Sequence, residues 1–310
     1  MAWTPSNLIV KGVEAGFHQA MKQAPEIWRN HCMELPATTE VMPFAFPGFV
    51  PQPREFISGR QFKGLLDFTF NVTNKTYELS FAIPRKYFED DQTGLIQARI
   101  NEAAAVWSGY RNYRFAALLT AGGTSGSNAW DGSTFYADTR VVGDSANIDN
   151  NTTTVAAADD AVPTSAELLT AMQGVLSNLW AFQDDTGRPF NDAAMGQIRL
   201  VTNPALHRAC VEAFSAPILS NNTNQYGFKL SEWDITPYLA IGSTTQLIYV
   251  SANGDYRKPF GYSSRVPLEV IVDQRPEEVA SSDSVKVMCR ERDIFFYAEP
   301  RRSVRHTFTT

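Results

Sequence analysis

The spacing of apolar positions changes along the chain, and each spacing predicts a different element. Over residues 89–123, Ile96, Ile100, Ala103, Trp107, Tyr110 and Leu118 recur mostly at three- and four-residue steps, the period of one helix face. This predicts one amphipathic helix of about 27 residues, roughly 40 Å long, a strut more than a packing block. Glu89, Asp90 and Asp91 sit where a helix start favours carboxylates, and Gly122-Gly123 predict a left-handed stop.

The first segment carries Val13, Phe17 and Met21 on one helical stripe, with Ser6 as N-cap, and Pro25 interrupts it before a short turn at Ile27 and Trp28. Pro36, Pro43, Pro47, Pro51 and Pro53 then alternate with Phe44, Phe46 and Phe49, which excludes helix and predicts an extended arm. Such an arm buries little of itself, so its aromatics are expected on another surface, such as a neighbouring subunit. Residues 54–85 turn strand-like: Phe68, Phe70 and Val72 alternate with polar residues, as do Tyr77, Leu79, Phe81 and Ile83. We expect a hairpin turning near Asn74-Lys75, and an isolated two-stranded ribbon is marginal in water, so it needs a partner.

A Gly, Ser, Asn and Asp-rich stretch follows the long helix. Next, Thr164 and Glu167 form a capping box ahead of the stripe Leu168, Met172, Val175, Leu179 and Phe182. The run IRLVTN predicts a buried strand that enters a helix through Asn203 as N-cap and Pro204 at the first helical position, with Leu206, Cys210, Val211 and Phe214 inward. Strand-like runs QLIYVSA, VPLEVIVD and VKVMCRERDIFFYAEP close the chain, the last read as a hairpin turning near Arg292-Asp293. No internal repeat and no flexible linker stands out.

Composition narrows the function more than the fold. With 310 residues, 44% of them hydrophobic and 19% charged, the chain can bury a large core, and its length predicts two or so lobes. It shows no long apolar run and no signal-peptide plan at its start, which predicts a soluble cytoplasmic product with no membrane partner. The net charge of −6 argues against a protein that coats nucleic acid. A locally basic face is expected near the end, where Lys286, Arg290, Arg292, Arg301, Arg302 and Arg305 cluster. Cys32, Cys210 and Cys289 are odd in number and far apart, so they are expected as buried thiols.

Catalytic signals are weak. Gly123-Thr124-Ser125-Gly126-Ser127 ends in Ser where a nucleophile elbow needs Gly, and it follows a predicted helix, not a strand. His207 with Cys210, and His31-Cys32, lack the paired spacings of zinc sites. The acidic pairs Asp159-Asp160, Asp184-Asp185 and Glu277-Glu278 read as solvated turn residues. No phosphate-cradling glycine motif is present. We therefore expect no enzyme, no cofactor and no metal. Arg60, Lys63 and Asp67 either pair across a subunit boundary or keep an exposed ribbon soluble.

The order of elements, together with TPSNL, PREFISGR, ELSFAIPRKYFEDDQTGL, LLTAGG, DGSTFYAD and LVTNPALHRA, resembles the Mu-like prophage major head subunit family of tailed-phage capsid proteins. The resemblance implies an α+β fold: an N-terminal arm over residues 1–53, an extended β-hairpin loop over 54–85, and a peripheral lobe with a long spine helix over 86–123. An axial α/β lobe over 124–253 and a return to the peripheral sheet over 254–310 complete it. It implies a structural protein of the virion, made in the host cytoplasm, that forms hexamers and pentamers of an icosahedral shell around double-stranded DNA held nonspecifically. Its implied partners are further copies of itself, a separate scaffolding protein, a portal and a decoration protein. Candidate inter-subunit residues are Phe46, Phe49, Arg54, Arg60, Lys63, Asp67, Lys75, Arg290 and Arg292. Arg99, Glu102, Arg111 and Arg114 are expected on a solvated or DNA-facing side of the spine helix. Some relatives link an extended-loop lysine to a peripheral asparagine; Lys63 and Lys75 are present, but no Asn follows Asn253, so no such crosslink is expected. The alternatives are an encapsulin-like shell around protein cargo and an unrelated α/β enzyme.

Overall fold

A computed structural model describes residues 7–47, 67–90, 94–153, 157–184, 187–191, 197–215, 232–239, 245–253, 257–273 and 275–310. The first apolar stripe folds as α1 (Asn7–Gln23), with Val10, Val13 and Phe17 buried. The helix stops ahead of Pro25, and one turn, α2 (Trp28–His31), leads into β1 (Cys32–Pro36). The strands β2 (Val41–Pro47), β3 (Asp67–Thr73) and β4 (Lys75–Pro84) follow. A short helix α3 (Arg85–Asp90) precedes the long helix α4 (Leu95–Ala121), whose 27 residues match the length that the spacing predicts.

The remaining elements are β5 (Asn151–Thr152), α5 (Ser165–Ala181), β6 (Ile198–Thr202), α6 (His207–Cys210), β7 (Glu232–Ile235), β8 (Leu247–Ala252), β9 (Phe260–Val272), α7 (Pro276–Ser282), β10 (Ser284–Tyr297) and β11 (Ser303–Thr307). The capping box forms as read: Thr164 accepts from the Glu167 N–H, and the Glu167 carboxylate accepts from the Thr164 N–H at 2.7 Å. Asn203 accepts from the Leu206 N–H with Pro204 at the first helical position, although the helix there is short and irregular.

Among the described residues three sheets result: a four-stranded sheet ordered β1-β9-β10-β4, a five-stranded sheet ordered β5-β11-β8-β6-β7, and a two-stranded ribbon, β2-β3. Helices α1 and α4 cover the four-stranded sheet, burying Phe17, Ile100 and Trp107 against Val272, Val285 and Val287. Helix α5 covers the five-stranded sheet, burying Leu168, Met172, Val175 and Leu179 against Leu200, Ile248, Val250 and Val304. An aromatic cluster with Trp28, Phe115, Phe135, Phe260 and Tyr297 lies between these two cores. The fold is mixed α+β, as expected.

Four expectations are corrected. First, β3 and β4 do not form a hairpin. A single residue, Asn74, separates them, too few to reverse a chain, so the backbone runs on from the ribbon into the four-stranded sheet. The ribbon is β2 with β3, in register from Val41 opposite Thr73 to Pro47 opposite Asp67. Second, no turn occurs at Arg292-Asp293: β10 is one strand of 14 residues with register shifts around Arg290 and Arg292.

Third, Gly122 is right-handed, with φ −58°, and the pair of glycines answers to crowding. A Cβ on Gly122 would lie 2.7 Å from Tyr136, and one on Gly123 would lie 2.2 Å from the Arg305 guanidinium. The start of α4 is likewise not acid-capped: Glu89 and Asp90 belong to α3, and the residue before α4 is Gly94 with φ 70°. Fourth, the closing segment divides between sheets: β9 and β10 build the four-stranded sheet, whereas a turn at Pro300–Arg302 sends β11 into the five-stranded one.

Candidate assembly surfaces

Among the described residues, the ribbon packs on the rest of the chain through Phe44, Phe70 and Val72. There Phe44 stacks on Phe296 with ring centroids 4.9 Å apart, and Val72 is buried with Trp130, Val142, Phe296 and Ala298. Phe296 can lie flat because it crosses Gly261, where a Cβ would come within 2.2 Å of its ring. The Asn74 N–H donates to the Glu40 carbonyl at 3.0 Å and closes the base. Towards the far end, Phe46 sits opposite Phe68 and Asp67 opposite Pro47. Phe49, Arg54, Arg60 and Lys63 lie outside the described residues.

Lys75 is exposed at the first position of β4, opposite Asp293. Arg290 is exposed and stands in register with Glu78 on one neighbouring strand and Glu269 on the other. Arg292 is half-buried and faces Glu40 at 3.5 Å. Hence Lys75 and Arg292 lie near the ribbon base, and Arg290 lies further along β10.

The charged residues of α4 divide. Arg99 and Glu102 form an exposed pair at 2.8 Å, as expected. Arg111 and Arg114 correct the expectation of a solvated surface, because Arg111 is buried and Arg114 is largely covered against β10. Arg111 donates through Nη2 and Nε to Glu291 at 2.7–3.2 Å and through Nη1 to Glu26 at 2.6 Å, while Trp107 and Tyr262 also donate to Glu291. Burial works to raise the Glu291 carboxyl, but Arg111, Tyr262 and Trp107 outweigh it and hold it below its usual range. Arg114 forks onto Asp293 at 2.5 and 2.8 Å and covers the Tyr77 ring at 3.9 Å. These are bidentate, desolvated pairs, and they fix the rotation of α4 over the sheet. The buried stripe of α4 runs Ile100, Ala104, Trp107, Arg111, Phe115 and Leu119. Tyr110, assigned to the apolar face, is instead 42% exposed, beside Val106 at 57% and Tyr113 at 45%.

The expected basic face dissolves in the same way. Arg301 is buried with Glu299, and Arg305 donates to Asn151. Ser125 is exposed in the turn after α4, and the buried thiols of Cys32, Cys210 and Cys289 are free. Among the described residues, no group of three or more His, Cys, Asp and Glu could hold a metal ion, and no helix is long and apolar enough to cross a membrane.

The model of the Mu-like prophage major head subunit gpT family matches residues 7–175, more than half of the 310-residue chain. The chain belongs to that family. It is a major capsid protein of the tailed-phage type, and solved shells share its architecture. The capsid of cyanophage P-SCSP1u gives a TM-score of 0.62 at 8% identity, covering 93% of the head subunit and 89% of that chain. The virus-like particle from Pyrococcus furiosus gives 0.59 at 8% identity, covering 96% and 98%. The procapsid of bacteriophage JBD30 gives 0.51 at 15% identity, covering 99% and 77%. At such identities the likeness is one of fold. No curated protein sequence matches. The features that carry the fold of this head subunit are the ribbon, the long helix clamped to β10 and the two large sheets.

Proposed function

We propose that this head subunit self-assembles as hexamers and pentamers into an icosahedral phage head around double-stranded DNA, and that it has no enzymatic role. One observation carries the reading: among the described residues, β2 and β3 form a separate two-stranded sheet that packs on its own subunit through Phe44, Phe70 and Val72. An isolated ribbon is marginal in water and gains stability when it lies on a neighbour. It therefore takes the role of the extended loop, with β4 left to the sheet. Repeated over a closed shell, such modest contacts give avidity without any single tight interface.

The four-stranded sheet with α4 takes the role of the peripheral lobe, and the five-stranded sheet with α5 that of the axial lobe. Phe46, Phe49, Arg54, Arg60, Lys63 and Asp67 would meet the neighbour, with Lys75 and Arg292 at the ribbon base. Arg290 remains an inter-subunit candidate on β10. Scaffold, portal and decoration protein are the further partners; contact with the enclosed DNA is nonspecific, because a net charge of −6 supplies no overall attraction to phosphate. The fold shared with the Pyrococcus furiosus virus-like particle keeps a second reading, an encapsulin-like shell.

Electron microscopy of particles purified from cells producing the chain with its neighbouring structural genes separates these. Shells holding nuclease-protected DNA are expected. Shells holding only protein would favour the second reading, and the absence of shells and capsomers would overturn both.

A further inference from the structure

His31 ends α2 just before β1 and is fully buried between the two large sheets. Its ring stacks on Phe115 of α4, with centroids 5.7 Å apart. Nε2 lies 2.8 Å from Asp234 Oδ2 on β7, and Nδ1 lies 3.1 Å from Ser251 Oγ on β8. The neighbouring residue repeats the link: Asn30 donates to Asp234 at 3.2 Å, and Asn253 donates to the Asn30 carbonyl at 2.8 Å. A short α2 segment thus joins the four-stranded sheet, through β1, to two strands of the five-stranded sheet.

The partners fix the tautomer. The Asp234 carboxylate only accepts, so Nε2 carries the hydrogen, and Nδ1 accepts from the Ser251 hydroxyl. A second proton has one place to go, Nδ1, where it would meet the hydroxyl hydrogen of Ser251. The hydroxyl must then turn its hydrogen away, although Ser251 is buried. Charge around the ring is mixed: Asp234 of β7 favours imidazolium, whereas Arg199 of β6 and Lys258 ahead of β9 oppose it, and Phe115 of α4 contributes no charge.

We propose that His31 is an acid-sensitive latch: as the neutral ring it ties β7 and β8 to the β1 side of the molecule, and its protonation loosens that tie. Burial first, then Arg199 and Lys258, hold the ring below its usual 6.5 in spite of Asp234. The sign follows. The unfolded chain takes up the proton first, so stability is full above about pH 6.5 and is lost as pH falls toward the folded value. His306, on β11 with Nδ1 2.9 Å from Thr152 Oγ1, is pushed down to about 4 by burial and adds a slope of the same sign.

The test is urea unfolding of the unassembled full-length subunit between about pH 7 and pH 5, for the native chain and His31→Gln, which keeps a donor toward Asp234 but does not titrate. Each buried neutral histidine lowers the folding constant by up to about tenfold per pH unit in this window. The native chain should therefore fall by up to about a hundredfold per unit, and His31→Gln by about tenfold. Equal slopes would overturn the proposal. Should the variant not fold, a titration of the His31 ring carbon by NMR in the native chain decides: a midpoint below 6.5 supports the latch, and one at or above 6.5 overturns it.

Discussion

Replacing residues 48–66 by a two-residue Asn-Gly turn is expected to abolish shell formation while the subunit stays folded. Pro47 and Asp67 stand directly opposite each other, so a two-residue turn can join them without disturbing the β2-β3 register. None of the described residues of β2 and β3 belongs to the cores beneath α4 and α5 or to the aromatic cluster between them. Far-ultraviolet circular dichroism and a melting curve should match the native subunit, while electron microscopy shows no closed particles. Normal shells from this variant would show that the ribbon tip is dispensable. A wider deletion, over residues 57–82, would be a poor test. It removes Leu79 and Phe81, which pack in the core beneath α4, along with most of a strand that β10 pairs with. Loss of assembly there would report unfolding.

The second large effect is expected at the clamp between α4 and β10. Substituting Arg111→Met leaves the Glu291 carboxylate, 1% exposed, facing only the Trp107 and Tyr262 donors, and strips Glu26 of one partner. Removing one member of a buried ion pair costs about 3–5 kcal/mol. For a chain of this size that is on the order of a 10 °C fall in melting temperature. The double change Arg111→Met with Glu291→Gln should recover part of the loss, since it removes the orphaned charge, with a coupling of about 1–3 kcal/mol. Additive losses would mean that the two residues do not act as a pair. The exposed pair Arg99–Glu102 supplies the contrast, because breaking a solvated pair costs about 0–1 kcal/mol.

These two sites also mark where the sequence could and could not be read. Local signals were legible: the length of α4, the capping box at Thr164 and Glu167, and the passage from β6 through Asn203 and Pro204 are each written within a few residues. Strand partners were not. Alternation along Phe68 to Val72 and Tyr77 to Ile83 locates two strands, but their pairing depends on Val41 to Pro47, where prolines hide a strand, and on β10, about 200 residues further on. The spacing of Asn74 alone was the available clue that β3 and β4 could not form a hairpin.

In β10 the charged run Arg290 to Asp293 resembles a turn, yet Val285, Val287, Cys289, Glu291, Asp293 and Phe295 keep the strand period without a break. The inward acids make sense only when Arg111 and Arg114, three residues apart on a helix, face them. A helix face assigned by hydrophobicity skips Arg111 for the same reason and admits Tyr110 in its place. Buried ion pairs join distant segments, so neither half reveals the other. His31 belongs with them, since its partners Asp234 and Ser251 lie more than 200 residues away.

The central claim is that this head subunit lends its ribbon to a neighbour. A cryo-electron microscopy reconstruction of the assembled shell, resolving individual strands, tests it most directly. The account predicts that the part of the ribbon beyond Phe44 and Phe70, residues 45–69 of each subunit, lies across an adjacent copy and buries its faces there. A reconstruction in which every ribbon folds back onto its own subunit, with neighbours meeting elsewhere, would contradict it.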